Sequence, residues 1–169
     1  MNSELIIDSS TSEVQIALVE DKQLVELNTE KKEKGFSVGD VYLGRVKKLM
    51  PSLNAAFVDI GYEKDAFLHY LDLGTQVQSL IKYMKNTQAG TQTDGLLNNF
   101  ELEADIHKAG KIGQVVNTNL NIMVQVAKEP ISSKGPRITA ELSFAGRFVV
   151  LVPFSDVVSV SQKIKSSAE

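Results

Sequence analysis

The segment SLNAAFVDIGYEKDAFLH, residues 52–69, gathers two phenylalanines, three carboxylates and a histidine. Each type offers a different chemistry. Phe57 and Phe67, if exposed on a sheet, would be flat surfaces on which unpaired nucleic-acid bases stack; if buried, they are ordinary core. Asp59, Glu63 and Asp65 form the one acidic cluster and could hold a divalent cation through oxygen ligands, although a turn crowded with charge is more commonly just solvated. His69 reads as a satisfied sheet residue. With His107 it makes up the whole histidine content, and there is no cysteine, so a zinc site of the usual donors is improbable. No Gly-rich phosphate loop, nucleophile elbow or Ser/His/Asp arrangement is apparent, and the sequence gives no catalytic constellation.

Strands have to place these side chains. In AAFVDIG, residues two apart share a face, so Ala56, Val58 and Ile60 line one side and Ala55, Phe57 and Asp59 the other. Three apolar residues choose the core and turn Phe57 outward. In DAFLHY the same rule sends Ala66 and Leu68 inward and Phe67 and His69 outward. A hairpin through Gly61–Lys64 then puts both phenylalanines on one face. Alternation alone leaves platform and core both open, because other segments of the chain can cover that face.

The surrounding chain reads as mostly strands. ELII, EVQIALV and QLVELNTE form a meander that ends at KKEKG, residues 31–35, which is equally a hairpin end or a domain junction. From Val38 onward, short strands at close spacing with Gly turns suggest a small barrel or sandwich. QVQSLIKYMK carries Val77, Leu80, Ile81 and Met84 at helical spacing. The polar NTQAGTQTDGLLNN that follows reads as a flexible loop, and residues 72–112 as an insertion. In NLNIMVQVAKE, Ile122, Val124 and Val126 share one face and Asn121, Met123 and Gln125 the other. A hairpin across PISSKGP into RITAEL collects Lys128, Lys134 and Arg137 at one end of the barrel. GRFVVLVPFSDVVSV predicts one or two further strands, and the closing SSAE a helix N-cap.

Composition is that of a globular chain, 43% apolar and 23% charged over 169 residues. The absence of cysteine fits a reducing compartment, and Glu4 with only Ile6 and Ile7 as an apolar core makes no signal peptide. No run is long enough to span a bilayer, so a cytoplasmic protein without a membrane partner is expected. The net charge of −3 argues against polyanions only globally. Residues 1–35 hold 4 lysines against 8 acids, whereas residues 36–140 hold 11 basic residues against 10 acids, so any nucleic-acid site is a local patch.

In order, VGDVYLGRVKKLMPSLNAAFVDIGYEKDAFLH and GQVVNTNLNIMVQVAKEPISSKGPRIT resemble an S1 RNA-binding domain, an OB-fold barrel. With MNSELIID and VQIALVEDKQLVEL before them and AGRFVVLVP and SVSQKI after, the chain resembles the N-terminal part of the bacterial ribonuclease E/G family, most weakly across 72–112. The resemblance implies a mainly β fold with minor α: an S1 barrel over 36–140, set after a meander at 1–35 that is part of an RNase H-like subdomain. Residues 141–169 would begin a region sensing a 5′-monophosphate. It also implies that Phe57 and Phe67 stack single-stranded RNA and that Lys134 meets phosphate, with Lys128 and Arg137 as weaker candidates. Gly146 and Val150 fall on two sensor positions, while the sensor's arginine–threonine pair has no counterpart.

The parent would be a metal-dependent endoribonuclease of RNA processing and decay. Magnesium, and zinc with it, would belong to that parent, as would any homo-oligomer; this segment would bind no cofactor and would not cut. Two other readings stand beside it: a stand-alone S1 protein of translation or transcription, and a small enzyme built on Asp59, Glu63 and Asp65.

Overall fold

The short apolar and β-branched runs of the first thirty positions, ELII, VQIALV and QLVEL, are divided by polar breaks and become three antiparallel strands. They are β1 (Ser3–Ser9), β2 (Glu13–Glu20) and β3 (Gln23–Lys31), in the order β1, β2, β3. Glu20 pairs with Gln23, and the two residues between them, Asp21 and Lys22, have φ of 46° and 67°. That is the two-residue primed turn whose twist matches the strands it joins. The computed structural model describes residues 2–10, 12–31, 36–93, 95, 97, 99–146, 149–156 and 158. The chain divides into two compact units, residues 1–35 and 36–169.

In the second unit, β4 (Val41–Met50), β5 (Ala55–Asp59), β6 (Ala66–His69), β7 (Asn121–Lys128) and β8 (Arg137–Thr139) close into a barrel. Around it the order is β4, β5, β6, β8, β7, with β6 and β8 parallel and the other pairs antiparallel. Closure leaves no free edge. The inward residues expected from alternation, Ala56, Val58, Ile60, Ala66 and Leu68, are buried, as are Ile122, Val124 and Val126. Gly44 supplies the close approach the interior needs: a Cβ there would stand 2.5 Å from Val58 Cγ1.

Helix α1 (Val77–Gln88) buries Val77, Leu80, Ile81 and Met84 in the same core cluster as the barrel strands. The segment read as an insertion thus contributes the apolar face of α1 to that core. Because α1 packs on β7, the middle of that strand's outer side, at Met123 and Gln125, is covered. The Met123 N–H points to Met84 Sδ, and Gln125, placed by alternation opposite the core, is 7% exposed. Its amide donates to the carbonyls of Gly39 and Ser143 and accepts from the Ser143 N–H, at 2.9–3.0 Å. A short ribbon, β9 (Phe144–Ala145) with β10 (Val150–Leu151), follows the barrel. The terminal SSAE lies outside the described residues.

Candidate nucleic-acid interface

Pairing in a sheet puts directly opposed residues on one face, and the barrel register therefore assembles an outward row strand by strand. Lys48 of β4 opposes Phe57 of β5, Phe57 opposes Phe67 of β6, Phe67 opposes Arg137 of β8, and Arg137 opposes Lys128 of β7. The inner neighbours confirm the side, since Ala56, Leu68, Ile138 and Val126 are all buried. Two rings are thus flanked by cations.

Neither phenylalanine is core and neither stands free. Both are partly buried, with ring centroids 5.9 Å apart at 68°, an edge-to-face pair worth about 0.5–1.5 kcal/mol beyond area burial. His69 extends the aromatic surface, 6.5 Å from Phe67. Its Nδ1 accepts the Leu71 N–H at 3.1 Å, and His107 does the same for Ala109 at 3.2 Å. Both histidines therefore cap local turns.

The cations differ in their freedom. Arg137 is held by Asp72 through a fork, Nε to Oδ2 at 2.9 Å and Nη2 to Oδ1 at 3.0 Å. Among the described residues neither Lys48 nor Lys128 makes an ion pair. Lys134 is exposed in the turn from β7 to β8, off the row, where its N–H bonds the Ile131 carbonyl at 3.0 Å. Gly135 next to it packs so tightly on the preceding hairpin that a Cβ would lie 2.3 Å from the Asp65 carbonyl oxygen.

The acidic turn does not converge on one point. Asp59 accepts the Gly61 N–H, Glu63 lies by Lys64, and Asp65 pairs with Lys47 at 3.1 Å. The hydrogen bond from Lys47 to Asp65 raises the lysine pKa above its ordinary value. Among the described residues no three His, Cys, Asp or Glu side chains are grouped to hold a metal, and no helix is long and apolar enough to cross a membrane. Gly146 and Val150 lie together at the ribbon, where the Gly146 N–H bonds the Val149 carbonyl at 2.8 Å.

Lys48 was invisible to alternation. Counted from the exposed Val41, Leu43 and Arg45, strict parity sends position 48 inward; a bulge between Val46 and Lys48 turns it out. The Asp72 partner of Arg137 lies 65 residues away in sequence, and nothing local announces it.

A closed five-stranded barrel with this strand order is an OB-type fold. The chain is 35% identical to ribonuclease G of Haemophilus influenzae over 98% of its own length and 30% of that relative's. With ribonuclease G of Escherichia coli it shares 32% identity over all of this chain and 31% of the relative. Ribonuclease E of Synechocystis matches 78% of this chain at 35% identity, covering 16% of that protein. The chain therefore belongs to the ribonuclease E/G family, as its N-terminal region, and spans less than a third of the ribonuclease G relatives it matches. No family model matches it.

Proposed function

We propose that residues 36–140 are an S1 domain that binds single-stranded RNA across the outer row, within a parent endoribonuclease of RNA processing and decay. The observation that carries this reading is the row itself, in which Lys48, Phe57, Phe67, Arg137 and Lys128 follow one another across five adjoining strands. Unpaired bases stack on aromatic faces while lysines follow the phosphates. Phe57 and Phe67 are the stacking surfaces; Lys48, Lys128 and Lys134 are the phosphate contacts. Family membership supports the ribonuclease parent over a stand-alone S1 protein.

On this reading the cut is made elsewhere in the parent, with magnesium as the metal that activates water there. The barrel's own residues bind and orient the strand. Residues 1–35 contribute to an RNase H-like subdomain, and Gly146 and Val150 belong to the start of the 5′-phosphate sensor.

The test is a titration of single-stranded RNA against the wild-type chain, Phe57→Ala and Phe67→Ala at two salt concentrations. Each substitution is expected to weaken binding by about 1–3 kcal/mol. With three lysines engaged, log affinity should fall against log salt with a slope near −2, taking about 0.7 per phosphate contact on a single strand. Unchanged affinity in both variants, with circular dichroism showing intact barrels, refutes the reading.

A further inference from the structure

We propose that Arg137 is a third base-stacking surface, held flat by Asp72, rather than a phosphate contact. The inference rests on the RNA-binding reading above and extends it by one base.

Its position comes first. In the register Arg137 is the neighbour of Phe67 on the side away from Phe57, so the three residues occupy successive strands about 4.8 Å apart. A strand laid along the row meets Phe57, Phe67 and Arg137 in turn.

Its chemistry comes second. Guanidinium is planar, and its hydrogen bonds leave along the edge, in the plane, while stacking uses the face. Asp72 takes two edge donors, Nε and Nη2, in the bidentate geometry that fixes orientation. Asp72 is itself anchored, since its backbone carbonyl accepts from Thr139 Oγ1 and the Ala140 N–H, both at 2.8 Å. The arginine side chain nevertheless stays 45% exposed. The fork therefore uses the edge of the group and leaves open surface for a base.

Its charge comes third. The carboxylate at 2.8 Å from Nη2 offsets the guanidinium charge, so the pair as a unit offers a phosphate little net attraction. Arg137 still has N–H groups to spare, but phosphate capture would have to compete with an anchored carboxylate. RNA-binding proteins do stack bases on guanidinium planes.

The experiment compares Arg137→Lys and Arg137→Gln in the 169-residue chain, with oligoribonucleotides carrying a fluorescent adenine analogue whose emission is quenched by stacking. Lysine keeps the charge and loses the plane. Both variants are expected to weaken binding about five- to ten-fold, at the low end for one stacked base, with the salt slope unchanged and one fewer quenched position. If Arg137→Lys binds like wild type while Arg137→Gln lowers the slope by about 0.7, Arg137 is a phosphate contact and the inference fails.

A measurement on the wild-type chain covers the case in which either variant does not fold. The Arg137 Nε–H resonance, protected by Asp72, should persist on RNA addition and move upfield under the ring current of a base. Its loss on binding would mean that the fork opens, and would overturn the inference. Failure of the underlying reading looks different: Phe57→Ala and Phe67→Ala would then also bind as wild type.

Discussion

Replacing Gly135 with alanine should unseat the turn that carries Lys134. The new Cβ would stand 2.3 Å from the Asp65 carbonyl oxygen and 3.0 Å from the Asp65 carbonyl carbon and the Lys64 oxygen, where ordinary contact begins at 3.4 Å. All three obstacles are backbone, so no side chain can swing aside. The two segments must part by about an ångström. Overpacking of this kind costs about 1–3 kcal/mol. Parting them also strains the bond from the Phe67 N–H to the Pro136 carbonyl, now 2.8 Å, whose loss adds about 0.5–1.5 kcal/mol. Together these come to about 2–4 kcal/mol, which lowers Tm by roughly 6–16 °C in a unit of this size. The assay is thermal unfolding by circular dichroism, with Gly95→Ala as the control. A Cβ at Gly95 meets nothing within 4 Å, so that variant should stay within about 0.5 kcal/mol of wild type. A Gly135→Ala protein that melts with the control refutes the close-approach argument.

Two further outcomes follow from groups inside the barrel unit. Gln125→Leu strands the Gly39 and Ser143 carbonyls and the Ser143 N–H that the amide now satisfies, and should cost about 2–4 kcal/mol in a denaturant titration. A loss below about 0.5 kcal/mol would show those groups to be satisfied elsewhere. Burial, with Asp40 adding charge and a hydrogen bond at 3.3 Å, raises the Tyr42 pKa above 10.0. The folded state therefore holds that proton more tightly than the unfolded state. This contribution is complete below the ordinary tyrosine value and is lost as pH rises through the raised one. Stability measured from pH 9 upward should decline less steeply in Tyr42→Phe, and superimposable curves would refute it.

Much of this arrangement was legible from side-chain parity. Ala56, Val58, Ala66 and Leu68 declared the interior because nothing interrupts β5 or β6, and Val77, Leu80, Ile81 and Met84 declared a buried helix face by their spacing. Where parity failed, the cause was tertiary. Ala55 shares the outer parity of Phe57 yet is fully buried. Gln125 also points out of the barrel, into a side of β7 that α1 and residues near Ser143 occupy. Lys48 depends on a bulge, which inserts one residue and inverts every assignment beyond it. The Asp72–Arg137 fork joins chain segments that meet only once β6 and β8 pair.

Asn54 has a consequence for how such a chain can change over time. It sits in the left-handed region at φ 48°. Its Nδ2 donates to the Gly110 carbonyl at 3.1 Å, its Oδ1 accepts the Ile112 N–H at 2.7 Å, and its carbonyl accepts the Tyr70 N–H at 2.8 Å. One residue thus holds the start of β5, the end of β6 and the point where the polar run after α1 rejoins the core. Within that run Glu101, Glu103 and Ile106 are themselves tied to the helix region, by Lys82 Nζ on the Glu101 carbonyl, the Glu103 N–H on Ser79 Oγ and the Ile106 N–H on the Thr75 carbonyl. The stretch open to a change of length therefore lies between α1 and Glu101. With both ends pinned, doubling the length between them costs only about 0.6 kcal/mol in closure entropy. A change of length in that stretch would leave the strands carrying Phe57 and Phe67 in register and the row untouched.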